Sequence, residues 1–394
     1  MPLSTERQDS VGLAMNALLD SARRIVIKIG SSLLCGTGEE PLRRNWLKTL
    51  CADAASLRRE NKDVIIVSSG AIALGLRALR LSGKEFTLQE NQAAAAVGQA
   101  RLAEAYADIL AEQGLVAAQI LLTLDDTENR QRYLNARATV RKLVALGTIP
   151  VVNENDTVAT GDVCFGDNDR LAARVADMME ADLLLLLSDV DGLYSADPTG
   201  DPNAAHVDLV SAISPEIEAM AHGPSSKIGR GGMIAKIAAA HIATAAGCEV
   251  AIANGRGDHP IAALCLGARA TRFSARLAPA AARKRWISGI LNPRGTLVVD
   301  EGAACALREG KSLLPVGVCR VNGQFGCGEA IVISNLKGHE LARGLVGYSA
   351  ADAAKIAGRR STDIQSVLGF RGRDEMVHRD DLTLTDKAAT AWTF

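Results

Sequence analysis

Five carboxylates and no basic residue lie between Glu154 and Asp169, a segment that includes Asp156 and Asp167. Two like charges about 4 Å apart repel by roughly 4 kcal/mol at an effective dielectric constant near 20. A set this dense therefore needs cations. The sequence offers Lys28 and Lys236. Other candidates are the ammonium group of a substrate and a Mg²⁺ ion carried by a nucleotide, because Mg²⁺ prefers carboxylates and phosphates.

Asn168 stands between Asp167 and Asp169 in the run FGDNDRLAARVA. An amide beside carboxylates offers both a donor and acceptors, which is what the head group of an amino acid requires. In isolation Asp169 also fits a helix N-cap, since the residues after it have helical spacing. From these residues alone the segment is either a binding site or a solvated turn.

Lys28 lies inside the aliphatic run RRIVIKIGSSLL. Burying an ammonium group is costly unless it meets an anion. Lys28 either reaches the end of the strand and pairs only with an aspartate, or it is aimed at a phosphate. The turn at Gly30 and Ser31 favours phosphate, because backbone N–H groups at a helix start bind phosphate oxygens. A second glycine-rich turn, GRGGMIAKIAAAHIA, places Lys236 in the opening turn of another helix.

Several other chemistries are not predicted. The run GKS at 310–312 lacks the first glycine of a P-loop, because position 305 is Cys305. The histidines show no metal-ligand spacing and no Ser–His–Asp arrangement. The eight cysteines form no CxxC pair and are expected to be free, mostly buried thiols of a reducing compartment. A net charge of −1 gives no field that would make nucleic acid or an anionic membrane the dominant partner.

Short aliphatic runs alternate with helical spacing and end in polar turns. This pattern predicts a parallel sheet covered on both faces. Ligands of such sheets bind at the carboxyl ends of the strands, so the polar turns should line one crevice. The runs are 23–34, 63–75, 148–156, 181–198 and 248–256, and the turns are Lys28 to Gly30, Ser69-Gly70, Asn153 to Asp156, and Ser188-Asp189.

A chain of 394 residues should form more than one domain. Near residue 276 the composition changes to that of a linker, and short strand-like pieces cut by glycine follow it. The N-terminus lacks the apolar block of a signal peptide, and the longest aliphatic run, Leu183 to Leu187, is too short to cross a bilayer. A cytoplasmic protein without membrane contact is expected.

Taken in order, the motifs resemble the amino-acid kinase family, in particular those members that phosphorylate glutamate. The second unit resembles a PUA domain. The resemblance covers residues 23 to 381 and rests on IKIGSSLL, VSSGAIALG, QAAAAVGQARL, LNARATVRKL, PVVNENDTVA, FGDNDRLAA, LLLLSDVDGLYSADP and GRGGMIAKIAAA, then RKRWISGIL, LVVDEGAACALREGKSLLPVGV and GEAIVI.

The resemblance implies an α/β fold, a parallel αβα sandwich followed by a small β-rich PUA-like barrel. It also implies ATP-dependent phosphorylation of the γ-carboxylate of L-glutamate to L-glutamyl 5-phosphate, the first step of proline biosynthesis, with Mg²⁺. Further expectations are inhibition by proline, a homodimer or homotetramer, a glutamyl-phosphate reductase partner and RNA contact through the PUA domain. The expected boundaries are an extension at 1–20, the kinase domain at 21–275, a linker at 276–284, the PUA domain at 285–375 and a tail at 376–394.

Carried over position by position, the resemblance implies three groups of site residues. The catalytic group is Lys28, Lys236, Asp167 and Asp169. The substrate-binding group is Ser69, Gly70, Ala71, Asn153, Asp156 and Asn168. The ATP-binding group is Lys28, Gly30, Ser31, Ser188, Asp189, Arg230, Gly231, Gly232, Met233, Ile234, Ala235 and Lys236.

The chain departs from the family at Arg230 and Ala235, where threonine is usual. Losing the hydroxyl at 235 removes a phosphate donor, while Arg230 adds a cation. Two alternatives remain. One is another member of the family, such as an N-acetylglutamate or aspartate kinase, although an N-acetylated substrate gives no reason for the acidic segment. The other is an RNA-binding protein acting through its PUA domain.

Overall fold

The computed structural model describes residues 15–36, 40–83, 86–158, 168–221, 232–288 and 293–385. The chain forms two compact units. The first comprises Met1–Thr127 and Ala136–Pro279, and the second comprises Glu128–Asn135 and Ala280–Phe394.

The first unit contains an eight-stranded sheet in the order β3-β4-β2-β1-β5-β9-β10-β8. The predicted parallel pairing is confirmed for β4, β2, β1, β5 and β9. Strand β3, which was not predicted, is parallel to β4, whereas β10 runs antiparallel to β9. A two-stranded ribbon, β6-β7, accompanies it. The strands are β1 (Arg24–Ile29), β2 (Asp63–Ser68), β3 (Ala117–Leu122), β4 (Ile149–Glu154), β5 (Leu183–Ser188), β6 (Leu193–Tyr194), β7 (His206–Val207), β8 (Leu209–Val210), β9 (Glu249–Asn254) and β10 (Ala270–Phe273).

Helices connect these strands, and the central strands are buried on both faces, which explains their unbroken aliphatic runs. Ile25, Ile27 and Ile29 of β1 pack in one core with side chains of helices α3 and α5. The helices are α1 (residues 15–21), α2 (Ser31–Leu34), α3 (Arg44–Arg59), α4 (Ala71–Ala78), α5 (Leu88–Glu112), α6 (Leu124–Glu128), α7 (Arg130–Ala145), α8 (Asn168–Met179), α9 (Pro215–Met220), α10 (Met233–Ala245) and α11 (Pro260–Cys265).

Part of the expected N-terminal extension belongs to the fold. In helix α1 the side chains of Met15 and Leu19 are buried in the core of the first unit. The buried ammonium group of Lys62 donates to the carbonyl oxygens of Leu19 at 2.6 Å and of Asp20 at 3.0 Å. This cation satisfies carbonyls at the end of α1 that have no partner within the helix. Residues 15–20 therefore pack as part of the first unit.

Helices α4 and α5 cross at two glycines. A Cβ atom on Gly75 would lie 1.7 Å from the carbonyl oxygen of Ala94, and one on Gly98 would lie 1.7 Å from that of Ala71. No side chain larger than hydrogen fits at either position. The contact fixes the first residue of α4, which follows the Ser69-Gly70 turn.

Gly98→Ala is therefore expected to lower the free energy of unfolding by at least about 3 kcal/mol, the upper end of the usual cost of overpacking. Gly257→Ala is the matched control, because a Cβ atom there has open space around it. The urea midpoints of both variants measure the difference. Equal midpoints would contradict the close crossing.

The second unit has its own sheet, in the order β12-β11-β13-β14-β15. Its strands are β11 (Gly295–Val299), β12 (Val318–Gly323), β13 (Ala330–Asn335), β14 (Glu340–Leu345) and β15 (Leu382–Leu384). Its helices are α12 (Pro279–Ser288), α13 (Glu301–Arg308), α14 (Ala350–Ile356) and α15 (Ile364–Leu368). Apolar side chains from most of these elements form one core, which includes Leu297, Ile331 and Ile333.

Both the expected linker at 276–284 and the expected tail from 376 contribute to this unit. Met376 and Val377 are fully buried in its core, and β15 adds a strand to its sheet. Arg283 of α12 is buried and its Nη2 lies 2.7 Å from Oδ1 of Asp381. Among the described residues no helix is long and apolar enough to cross a membrane.

Candidate active site

Two lysines converge on one aspartate at the carboxyl edge of the sheet. Lys28 of β1 has its Nζ 2.5 Å from Oδ1 of Asp169, and Lys236 has its Nζ 3.2 Å from Oδ2. Asp169 lies in the first turn of α8 and Lys236 in the first turn of α10. All three side chains are buried. The fold thus brings together two ammonium groups that are far apart in the sequence.

The charge state of Asp169 follows from these neighbours. Burial alone raises the pKa of this carboxyl group, but the ammonium groups of Lys28 and Lys236 outweigh burial and hold the pKa below its usual value. Asp169 is therefore ionised at neutral pH. It holds the two ammonium groups in place where the strands end.

Asn168 connects the start of α8 to strands β2 and β4. Its Nδ2 donates to the carbonyl oxygen of Ser68 at 2.7 Å, to Oγ of Ser69 at 3.0 Å and to Oδ1 of Asn153 at 2.8 Å. A backbone carbonyl can only accept, so the amide orientation of Asn168 is fixed. Its Oδ1 is buried and has no hydrogen-bond partner within the described residues.

Asp156, two residues beyond β4, is the second buried acceptor of this kind. Its side chain is buried, and in the described part of the chain its Oδ1 accepts no hydrogen bond. Burial raises the pKa of Asp156 to about 6, so at neutral pH it carries a negative charge. Buried acceptors in native proteins are normally paired, and each unpaired acceptor calls for an explanation. The oxygens of Asp156 and Asn168 fit a ligand that donates, such as an ammonium group.

A cavity of about 420 Å³ opens where β5 and β9 end and α10 begins. Its wall combines apolar side chains, such as Leu193 and Met233, with the polar groups of Asp189 and Asn254. Gly232 lies in this wall and is the N-cap residue of α10. A mostly apolar cleft with a few polar groups and a helix start is suited to a nucleotide.

The structure brings most of the residues expected from the sequence to this edge. Ser188 donates from Oγ to Oδ1 of Asp189 at 3.1 Å, and Asp189 lines the cavity with Gly232 and Met233. Gly70 has a φ of 99° and is the N-cap of α4, with Ala71 as its first residue. Ile234 is exposed and Ala235 half-buried in the first turn of α10. Asp167, Arg230 and Gly231 lie outside the described residues.

The first glycine turn, at Gly30 and Ser31, lies beside Lys28. The backbone N–H of Gly30 donates to the carbonyl oxygen of Leu187 at 3.3 Å, so it is already engaged. A Cβ atom on Gly30 would lie 4.0 Å from Nζ of Lys28. Ser31 is exposed and begins α2, a helix of one turn. Gly30 thus provides space beside Lys28, rather than a free donor.

Sequence reasoning missed three residues of this edge. Ser68 is fully buried. Its carbonyl oxygen accepts a hydrogen bond from Asn168, and its Oγ lies 3.0 Å from the hydroxyl oxygen of Tyr106. Asn254 ends β9 and lines the cavity. Gln99 of α5 accepts a hydrogen bond from Asn153 at 2.7 Å. Asn254 could have been found, since it follows an aliphatic run as the other polar turns do.

The carboxyl edge of this mostly parallel sheet carries two buried lysines, a helix that starts at a glycine, and a nucleotide-sized cavity. Together these features define an enzyme of the phosphoryl-transfer class. The family model for the amino acid kinase family matches residues 23–254, and that for the PUA domain matches residues 295–368. The chain belongs to the amino acid kinase family, and it is a kinase with a C-terminal PUA domain.

Its relatives include several glutamate 5-kinases. Glutamate 5-kinase 1 of Rhizobium meliloti (strain 1021) is 56% identical over 369 residues, which are 93% of this chain and 93% of that protein. Glutamate 5-kinase of Rhodopseudomonas palustris (strain BisA53) is 54% identical over 366 residues, 93% of this chain and 97% of that protein. Glutamate 5-kinase of Rhizobium rhizogenes (strain K84 / ATCC BAA-868) is 54% identical over 372 residues, 94% of this chain and 95% of that protein.

Proposed function

We propose that the protein transfers the γ-phosphoryl group of ATP to the γ-carboxylate of L-glutamate and so produces L-glutamyl 5-phosphate, the first step of proline biosynthesis. The observation that carries the proposal is a pair of buried oxygens, Oδ1 of Asp156 and Oδ1 of Asn168, which accept no hydrogen bond from the described residues. They lie beside the Lys28–Asp169–Lys236 cluster. The names of the relatives support the same substrate.

One part of the site binds glutamate and the other binds ATP. Asp156 and Oδ1 of Asn168 bind the ammonium group of glutamate. The γ-carboxylate extends toward Lys28, because Asn168 and Asp169 are neighbours at the start of α8. ATP occupies the cavity at β5 and α10, and its phosphates lie toward Lys28 and Lys236.

The chemical step needs no general base. The γ-carboxylate, whose ordinary pKa is about 4.3, is ionised at neutral pH. One of its oxygens attacks the γ-phosphorus, the new O–P bond forms, and the bond from the γ-phosphorus to the bridging oxygen breaks, so that ADP leaves with the electron pair. Lys28 and Lys236 neutralise the charge on the phosphoryl oxygens and hold them in line.

Mg²⁺ enters this scheme as part of the nucleotide substrate. Within the described residues no group of three or more His, Cys, Asp or Glu side chains could hold a metal ion. Asp169 is occupied by the two lysines. The described side chains therefore offer no resident metal site.

The test is ATP turnover with and without L-glutamate, with hydroxylamine trapping of the acyl phosphate. We expect a trapped hydroxamate with glutamate and little with N-acetylglutamate or aspartate. N-acetylglutamate has no ammonium group to place on Asp156. A strong signal with N-acetylglutamate and none with glutamate would instead favour another activity within the family.

The proposal includes inhibition by proline. Proline, like glutamate, carries a protonated amine next to a carboxylate, so Asp156 and Asn168 can accept from it in the same way. Repeating the turnover assay with added proline tests this part, and inhibition that glutamate relieves is the expected pattern.

RNA contact is the second candidate function, and the β-sheet of the PUA domain favours it. A cavity of about 420 Å³ on strands β11, β12 and β13 is lined by polar side chains that include Thr296, Arg320 and Asn322. Such groups suit the phosphates and sugars of a nucleic acid. A gel shift of the full chain with RNA at two salt concentrations tests it, and binding should weaken as salt rises.

The raised pKa of Asp156 predicts a pH dependence. The ionised carboxylate attracts the ammonium group of glutamate, so kcat/KM for glutamate should fall as pH drops below about 6, by about tenfold per pH unit. The γ-carboxylate of glutamate stays ionised at pH 5, since its ordinary pKa is about 4.3. The measurement is kcat/KM from pH 5 to 8 at saturating ATP. A flat profile between pH 5 and 7 would contradict the role of Asp156.

A further inference from the structure

We propose that Gln99 of helix α5 is a further substrate-binding residue, which donates a hydrogen bond from Nε2 to the α-carboxylate of the bound amino acid. The inference deepens the proposed function and rests on it, because it concerns how the same site holds glutamate. It rests on the orientation of Gln99, on its place in the fold and on the charge of the substrate.

The orientation of Gln99 is fixed by a chain of hydrogen bonds. Oδ1 of Asn153 accepts the backbone N–H of Glu154 at 2.9 Å, and a backbone N–H can only donate. Nδ2 of Asn153 must then face away from Glu154, and it donates to Oε1 of Gln99 at 2.7 Å. The side-chain oxygen of Gln99 therefore faces Asn153 and accepts its hydrogen bond. Its Nε2, which makes no hydrogen bond with the described part of the chain, points away from Asn153.

The position of Gln99 places that donor at the amino-acid end of the site. Asn153 lies on β4, next to β2 in the sheet, and Gly98 packs against Ala71 at the start of α4. Gln99 therefore lies near the end of β4 and the Ser69-Gly70 turn. Strands in a sheet are about 4.8 Å apart, so β4 is roughly 10 Å from β1, which carries Lys28. Gln99 is on the side of the site remote from the transferred phosphate.

The charge of glutamate requires a donor at this end. Asp156 and Oδ1 of Asn168 are acceptors, so they match the ammonium group. The charge of Asp156 repels a carboxylate, and the amide oxygen of Asn168 has no hydrogen to donate to one. The α-carboxylate needs N–H groups. The amide Nε2 of Gln99 is a side-chain donor of that kind, held on a rigid helix by the Asn153 contact.

Two substitutions at this position separate substrate contact from a merely structural role. Gln99→Glu has the same shape and keeps an oxygen to accept from Asn153, but it turns the donor into a second negative oxygen. Gln99→Leu removes both groups. If Gln99 binds the α-carboxylate, Gln99→Glu should raise KM for glutamate at least as much as Gln99→Leu, by about 10- to 100-fold. KM for ATP should not change.

A structural role gives the opposite order, with Gln99→Glu close to the unmodified protein and Gln99→Leu impaired. That result would overturn the proposal. Gln92→Glu is the matched control, because it makes the same change on the same helix, two turns earlier and outside the site. We expect its KM for glutamate to equal that of the unmodified protein.

A second readout uses 4-aminobutyrate, which is glutamate without the α-carboxylate. Its Ki as an inhibitor of glutamate phosphorylation should be the same in Gln99→Leu as in the unmodified protein, because the contact that is lost involves a group it lacks. An equal weakening for glutamate and 4-aminobutyrate would overturn the proposal and leave the proposed function intact. Absence of glutamate turnover in the unmodified protein would overturn both.

Discussion

Lys28→Met is expected to lower kcat by roughly 10²–10³-fold, the effect of removing one preorganised charge-stabilising donor. Methionine fills a similar volume but has no ammonium group to stabilise the phosphoryl oxygens in the transition state. KM for glutamate should change little, since the amino-acid end is held by Asp156 and Asn168. Lys236→Met should lower kcat in the same range. Steady-state kinetics at saturating ATP and glutamate measure both effects.

Lys62→Met is the control for these variants. Lys62 is as buried as Lys28 and lies in the same unit. Among the described residues, its ammonium group is bonded to backbone carbonyls of α1 and to the carboxylate of Glu60 alone. We expect Lys62→Met to lower the urea midpoint and to keep kcat. If Lys28→Met and Lys236→Met both keep the kcat of the unmodified protein, the two lysines do not act in phosphoryl transfer.

The central strands could be predicted from the sequence because burial on both faces requires an apolar residue at nearly every position. Runs such as VIIV on β2 and LLLLL on β5 are apolar at every position. Strand β3, with the sequence AAQILL, is half-buried at the edge of the sheet and contains an exposed glutamine. An edge strand mixes apolar and polar residues in this way, so its pattern was too weak to predict.

The site was predicted as a set of residues but not as a geometry. The polar turns after β1, β2, β4 and β5 follow from where strands end, and that places Lys28, Ser69, Asn153 and Asp189 at one edge. The orientation of Asn168 could not be predicted, because the carbonyl oxygen of Ser68 sets it. Backbone groups are the same at every residue and leave no signal in the sequence.

The burial of Arg283 could not be predicted for a related reason. The segment ending in RKR has the composition of a linker, yet Arg283 is buried against Asp381, which lies 98 residues further along the chain. A basic residue can be exposed or paired in a core, and composition does not distinguish the two. The pairing depends on a partner that only the folded chain brings near.

Asp156→Asn is expected to lower kcat/KM for glutamate by about 30-fold or more, mainly by raising KM. Removing one partner of a buried charge pair costs about 2–5 kcal/mol. Asparagine has the same size, so the change removes the charge that holds the ammonium group. KM for ATP should stay the same, and the fall of kcat/KM below pH 6 should disappear. Asp125→Asn, an exposed residue of α6, is the control with the same chemical change.

Unfolding cannot explain the expected loss of kcat/KM in Asp156→Asn, because the pKa of Asp156 is raised in the folded protein. A folded-state pKa raised to about 6, above the ordinary value of 3.8, means that the folded protein binds the proton more tightly than the unfolded chain. Ionisation of Asp156 therefore opposes folding progressively as pH rises from 3.8 through 6, and that cost is complete above 6. Asparagine removes the cost, so at pH 7.5 the variant should be at least as stable as the unmodified protein.

An Asp156→Asn variant with the unmodified KM for glutamate would show that Asp156 does not hold the ammonium group.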